Sequence, residues 1–174
     1  MRALPQLDFI EAIKLASSRI LDFKGRSRRS EFWWWMLVVI VVGWIISMFA
    51  NNLLANAVLS IICMFFGLSA TARRLQDSGK SALWVYISYA MGCAFQLLFS
   101  TSAAMNELIE EASYGALSQH AVEKIMMNSF GEIAGIGFMS IIHSIFALIV
   151  IIMCLFDSTP GPNKYGDSPK YVIE

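Results

Sequence analysis

Apolar residues dominate four stretches of the chain, 32–50, 53–70, 82–99 and 133–156, and polar or charged residues separate them. The first two are about 18 to 19 residues long, which at about 1.5 Å rise per residue just crosses a hydrocarbon core of about 30 Å. A single helix over both would be twice the needed length, so Asn51 and Asn52 read as the tip of a tight helical hairpin. The third stretch opens after Asp77-Ser-Gly-Lys-Ser81, where Gly79 suits the end of one helix and Ser81 the N-cap of the next. The fourth is longer and spans with tilt. This pattern predicts an all-α integral membrane four-helix bundle in one domain, 1–174.

Two further segments carry a weaker helical signal. Over 7–23, Phe9 or Ile10, Ile13, Ser17 and Ile20 share one helical stripe, and Asp8 and Glu11 have capping-box spacing. The expectation is an N-terminal interfacial amphipathic helix on the cytoplasmic leaflet; the rival is a helix packed on the cytoplasmic loops. The acidic segment 105–132 reads as a polar, partly helical external loop, either a solvated face or a docking element.

Composition agrees with a membrane class: 57% of residues are hydrophobic and 15% charged, with mean hydropathy +0.60. The formal net charge of zero hides an uneven distribution. Of the 13 Lys and Arg residues, seven precede Phe32, three lie in 73–80 and two follow Asp157; only Lys124 falls elsewhere. An even number of spans puts those three groups on one side, which the positive-inside rule makes cytoplasmic, together with both termini and the tail 157–174. Trp33, Trp34, Trp35 and Trp84 fall at the same expected interface. Cys63, Cys93 and Cys154 lie in apolar runs without metal-ligand spacing, and His120 and His143 have no ligand-spaced neighbour, so no cofactor or metal is expected.

Three polar motifs carry candidate chemistry. In Gly25-Arg-Ser-Arg-Arg-Ser30, residues Arg26, Arg28 and Arg29 serve as a positive-inside anchor, as an anionic pocket, or as part of an export signal. The last reading suffers from an over-long, tryptophan-rich apolar region. In the stretch from Ala72 to Ser81, the Gly79-Lys80-Ser81 end resembles a phosphate loop, but Arg74 stands where that motif needs Gly and no strand precedes it. Arg73 and Asp77 at i, i+4 remain, an exposed pair worth about 0.3–0.5 kcal/mol, or part of a partly desolvated network with Glu31. Between Asp157 and Gly166, prolines and glycines turn the chain back, and Asn163, Lys164 and Tyr165 are placed to cover the Arg73 loop. Inside the spans, His143 reads as a neutral residue bonded to a neighbouring helix or as a functional group. Gly131, Gly135 and Gly137 offer a face for close packing, and Asn56 and Gln96 are expected interhelical partners.

The segments Phe23–Trp35, Ala72–Trp84 and Gly161–Gly166, in this order and separated by apolar spans, resemble the three signatures of the bacterial inner-membrane family called domain of unknown function 805, the YhaH-like proteins. The resemblance covers about residues 7 to 169. It implies a four-helix protein of the bacterial cytoplasmic membrane and supplies no activity, substrate or cofactor. Gln76 stands where the family pattern usually has His, and Ala82 where Gly is common, which weakens proton transfer or metal binding as a shared role.

The expected function is a non-enzymatic membrane component whose basic cytoplasmic rim, built from Arg26, Arg28, Arg29, Glu31, Arg73, Arg74, Asp77, Lys80, Asn163, Lys164 and Tyr165, binds anionic membrane lipids or a membrane protein partner. A small-solute transporter or channel formed by homo-oligomerisation is the alternative, although no Asp, Glu, Lys or Arg lies inside a span. An enzyme acting on lipid phosphates would need a carboxylate constellation beyond Glu31 and Asp77. Nucleic acid is not an expected partner.

Overall fold

The computed structural model describes residues 2–115 and 118–172. Residues 116–117 of the acidic segment and 173–174 of the tail, both given expectations above, lie outside the described residues. The chain folds as α1 (Phe9–Ser17), α2 (Arg29–Ser47), α3 (Leu53–Asp77), α4 (Leu83–Thr101), α5 (Ala103–Ser113), α6 (Gln119–Asn128) and α7 (Phe130–Leu155), with β1 (Arg2–Ala3) and β2 (Tyr171–Val172) pairing antiparallel. The fold is all-α and bundle-like, and α2, α3, α4 and α7 are long and apolar enough to cross a membrane.

Helix boundaries follow local chemistry. Asn52 N-caps α3 by accepting from the Ala55 amide at 2.7 Å, which turns the Asn pair into a hairpin. At the other end of α3, Gly79 takes φ +78°, and the amides of Lys80 and Gly79 donate to the carbonyls of Leu75 and Gln76 at 2.9 and 3.0 Å. That is a Schellman closure, which asks for a left-handed residue and so for glycine. Ser81 accepts from the Leu83 amide at 3.2 Å, but the N-cap position of α4 falls on Ala82 and not on Ser81 as expected.

The four long helices run up and down in sequence order. α3 packs against α2, α4 and α7, α4 also packs against α7, and α1 lies against α2. Close approach needs small residues at two points. A Cβ at Gly67 would sit 3.1 Å from the Tyr89 hydroxyl and 3.2 Å from Met36 Sδ, and one at Gly92 would sit 2.8 Å from Met64 Cε and 3.0 Å from His143 Cε1. A Cβ at Gly131, Gly135 or Gly137 would meet nothing within 4 Å among the described residues. The close-packing glycines are therefore on α3 and α4, and the α7 face expected to pack is open.

Several polar expectations inside the spans also resolve differently. Asn56 accepts from Ser60 on its own helix. His143 stacks on Phe95, with centroids 6.2 Å apart, and its buried Nδ1 has no hydrogen-bond partner among the described residues, where the expected interhelical bond through that nitrogen is therefore absent. Trp33, Trp34 and Trp84 are exposed, whereas Trp35 is buried and donates to the Phe66 carbonyl at 2.8 Å. Trp35 therefore ties α2 to α3 instead of joining an aromatic belt.

The Asp8–Glu11 capping box forms. However, α1 buries Ala12 and Ala16 and leaves Phe9 and Ile10 exposed. Ala16, with Ile13 and Ile20, joins the core around Phe32, Trp35 and Leu75. The buried stripe is thus rotated from the expected one, because alanines permit closer contact with α2 than the bulkier stripe would. Phe9 still reaches Trp34 edge-on at 5.4 Å. Within the acidic segment, α5 and α6 carry serine N-caps, Ser102 and Ser118.

Candidate functional site

The ends of α1, α3 and α7 converge at one end of the bundle, and each brings carbonyls that no residue in its own helix can satisfy. Left buried and unpaired, such groups cost free energy comparable to a lost hydrogen bond. Arginine, with five N–H donors in a planar fork, is the side chain best able to bind several of them at once. Four arginines supply those donors.

Arg74 points from the last turn of α3 to the C-terminus of α7. Its Nε donates to the Cys154 carbonyl at 3.0 Å, and Nη2 donates to the Phe156 carbonyl. Arg29, from the start of α2, donates to the Leu155 carbonyl. Arg73 leaves α3 on another side, and its Nη1 donates to the carbonyls of Arg19, at 2.7 Å, and Asp22 just beyond α1. Arg26 reaches into the C-terminal turn, where it meets the carbonyls of Thr159 at 2.6 Å, Gly161 at 2.8 Å and Asp77 at 3.2 Å. Negative partial charge at helix C-termini favours cations there.

Two carboxylates complete the cluster. Asp77 is fully buried and bonds to Arg26 Nε at 2.9 Å, to Arg74 Nη1 and to the Ser158 hydroxyl. Glu31, from the first turn of α2, faces Arg73 Nη2 at 3.5 Å, too long for a strong hydrogen bond. Arg26, Glu31, Arg73, Arg74 and Asp77 all have no more than 4% relative exposure. Three cations against two anions leave one positive charge in excess, and the carbonyl array offsets it. Removing one partner from such a buried set costs about 3–5 kcal/mol, because it strands the others.

The expected Arg73–Asp77 pair does not form. Asp77 pairs with Arg74 and with Arg26, which lies 51 residues away in sequence, and Arg73 pairs with Glu31. Nor is the pair exposed. Arg26, Arg73 and Arg74, expected on a basic rim, are instead buried inside it.

Asn163 does cover the end of α3: its Nδ2 donates to the Gln76 carbonyl at 3.0 Å, and its Oδ1 holds the Tyr165 amide at 2.8 Å. Lys164 instead lies over its neighbour Tyr165, 4.9 Å from the ring centroid. Lys80 lies over Phe156 at 4.6 Å. Arg28 donates to the Pro5 carbonyl at 3.1 Å. Arg28, Arg29, Lys80 and Lys164 therefore border the buried cluster.

Residues outside the expected binding set complete the site. Ser158 and Thr159 anchor the tail to Asp77, and Gln76 donates to the Phe23 carbonyl at 3.1 Å. Ser27 Oγ, Glu31 Oε1, Arg73 Nε and Nη2, and Gln76 Oε1 are buried without a hydrogen-bond partner among the described residues. These atoms belong to residues 27–31 and to the end of α3, and the unusual Gln76 was a signal for them in the sequence.

The site thus joins residues from Phe23–Trp35, Ala72–Trp84 and Gly161–Gly166. No curated protein and no solved structure matches the chain. Residues 20–167, which contain all three segments, match a family model, and the chain belongs to the family described as protein of unknown function (DUF805).

Proposed function

We propose that this multi-pass protein is a non-enzymatic component of the bacterial cytoplasmic membrane, with both termini cytoplasmic, whose basic rim binds anionic lipid headgroups or a partner protein. The observation that carries the reading is a division of labour among the cations. Arg26, Arg73 and Arg74 are buried against carboxylates and carbonyls, which leaves Arg28, Lys80, Lys164 and Arg29, half exposed although it also donates to the Leu155 carbonyl, on the periphery of the same end. Exposed Trp33, Trp34 and Trp84 lie near them in sequence and suit the headgroup level of a bilayer. Near an anionic surface each peripheral cation contributes about 1 kcal/mol.

A solute pathway gains little from the grooves between helices. The α2–α3 groove is lined by residues such as Val39, Val42, Leu59 and Phe66, and the α3–α4 groove by residues such as Met64, Leu68 and Ala90. Both suit acyl chains better than ions. The test of the rim is native mass spectrometry from mild detergent, comparing wild type with a variant carrying Arg28, Arg29, Lys80 and Lys164 changed to Gln. Adducts of anionic-lipid or partner mass that disappear in the variant support the reading; identical adducts in both contradict it.

A further inference from the structure

One cavity at the basic end has walls from three separate parts of the chain. Leu4, Pro5 and Gln6 form one side, Arg28, Arg29 and Ser30 at the start of α2 form the second, and Asp157 with Lys170 form the third. Its volume is about 90 Å³, several times the roughly 10–15 Å³ that one water requires. Three cations border it against one carboxylate.

The frame around the cavity is held independently of any occupant. Arg28 donates to the Pro5 carbonyl, the Leu7 amide donates to Ser30 Oγ at 3.3 Å, and the Leu4 amide donates to the Lys170 carbonyl at 2.8 Å. The β1–β2 pair joins the two chain tails beside it. At the start of α2, Arg28 is the N-cap in an extended conformation and no side chain caps the helix. The acidic residue of that first turn, Glu31, faces inward to Arg73. The start of α2 thus adds partial positive charge to the three cations.

Asp157 answers this charge from within the chain. Its carboxylate takes two bonds from Lys170 Nζ, at 2.7 and 2.8 Å, and lies 3.9 Å from Arg29 Nε. Asp157 and Arg29 are both about half exposed, with side-chain exposures of 49% and 47%. The carboxylate is therefore a displaceable internal anion over an accessible cationic cavity.

We propose that this cavity is a phosphate-binding site, with Arg28, Arg29 and Lys170 as its ligating cations and Asp157 as the intramolecular competitor that phosphate displaces from Lys170. The proposal deepens the lipid-binding reading above and rests on it. Phosphate chemistry fits because Arg matches it with a planar fork and Lys binds it as a point charge. The phosphodiester of an anionic lipid and free inorganic phosphate share that chemistry.

The test titrates the full chain in a neutral detergent, in separate arms, with short-chain phosphatidylglycerol and with inorganic phosphate, and reads binding by native mass spectrometry. Asp157→Asn, which keeps an oxygen able to accept from the Ser158 amide, is expected to tighten binding about two- to five-fold, because an exposed competitor is lost. Arg28→Gln with Lys170→Gln is expected to abolish it, Lys124→Gln on exposed α6 to leave it unchanged, and Lys80→Gln with Lys164→Gln to weaken it less than the cavity pair does. Tightening by Asp157→Asn in the lipid arm alone identifies a headgroup, and tightening in the phosphate arm identifies free phosphate.

Unchanged affinity in Asp157→Asn overturns the proposal, even where the double cavity variant fails to fold. If binding follows Lys80 and Lys164 instead, the cavity is wrong and the basic rim stands. Should the wild type bind neither probe, both readings fail together.

Discussion

The two ends of the bundle solve the same problem in opposite ways. At the end where α2 begins and α3 and α7 finish, unpaired helix-end backbone groups are satisfied from far along the chain: Arg74 binds carbonyls 80 and 82 residues away, and Arg26 binds the Asp77 carbonyl 51 residues away. At the other end, the described side-chain caps are local. Asn52 caps α3 three residues ahead, Ser102 caps α5, Ser118 caps α6, and Asn106 returns to the carbonyls of Ser100 and Ser102. One end is a crosslinked polar cluster under tight structural constraint; the other is a set of independently closed helices. Interactions of the first kind fail together and those of the second fail singly.

Asp77→Ala is the largest expected break. It strands Arg26 and Arg74 inside the cluster and releases Ser158, so unfolding in mild detergent should show a loss of about 3–5 kcal/mol. Gly92→Ala tests the apolar middle between the ends. The added methyl meets Met64 Cε and His143 Cε1, and thermal unfolding should register about 1–3 kcal/mol, reduced where the flexible Met64 tip yields. Gly135→Ala, facing open space, should be neutral or slightly stabilising through helix propensity.

At the locally capped end, Asn52→Ala should cost about 1 kcal/mol. The increase in hydrogen exchange should stay within the first turn of α3; a spread to residues 154–168 would erase the contrast between the ends. The smallest destabilisation belongs to the tail latch. The two Lys170 bonds hold the Asp157 carboxyl below its ordinary value of 3.8, outweighing partial burial. A depressed carboxylate stabilises the fold above its unfolded value and loses that contribution as pH falls through the folded one. Lys170 is shifted upward from 10.5, first by its bond to Asp157, so its share persists below that value and disappears as pH rises through the folded one. Limited proteolysis of residues 167–172 should therefore stay constant at mid-range pH and rise below about pH 4, with an energetic effect under about 1 kcal/mol for so exposed a pair.

Much of the fold was legible because hydropathy and capping are local signals. The four long helices follow from the apolar runs, the Asn51–Asn52 break and Gly79, and the Asp8–Glu11 box is visible as a spacing. The ionic partners were less legible. Spacing of i, i+4 pointed Arg73 at Asp77, whereas tertiary packing turned Arg73 toward Glu31 and gave Asp77 to Arg74 and Arg26. The carbonyl acceptors were invisible for a deeper reason: every residue carries one, and only the convergence of helix ends selects Cys154, Phe156, Arg19 and Asp22. The glycines of α7 misled for a related reason, since a small-residue spacing shows that packing is permitted and says nothing about whether a neighbour is present.

One buried cluster ties the segments Phe23–Trp35, Ala72–Trp84 and the C-terminal turn together. Hydrogen exchange by mass spectrometry on wild type and Asp77→Asn, under conditions where both remain folded, tests it most directly. Protection should fall together in residues 19–28, 74–80 and 154–166. Loss confined to the residues flanking position 77, with the other two segments as protected as in wild type, would contradict it.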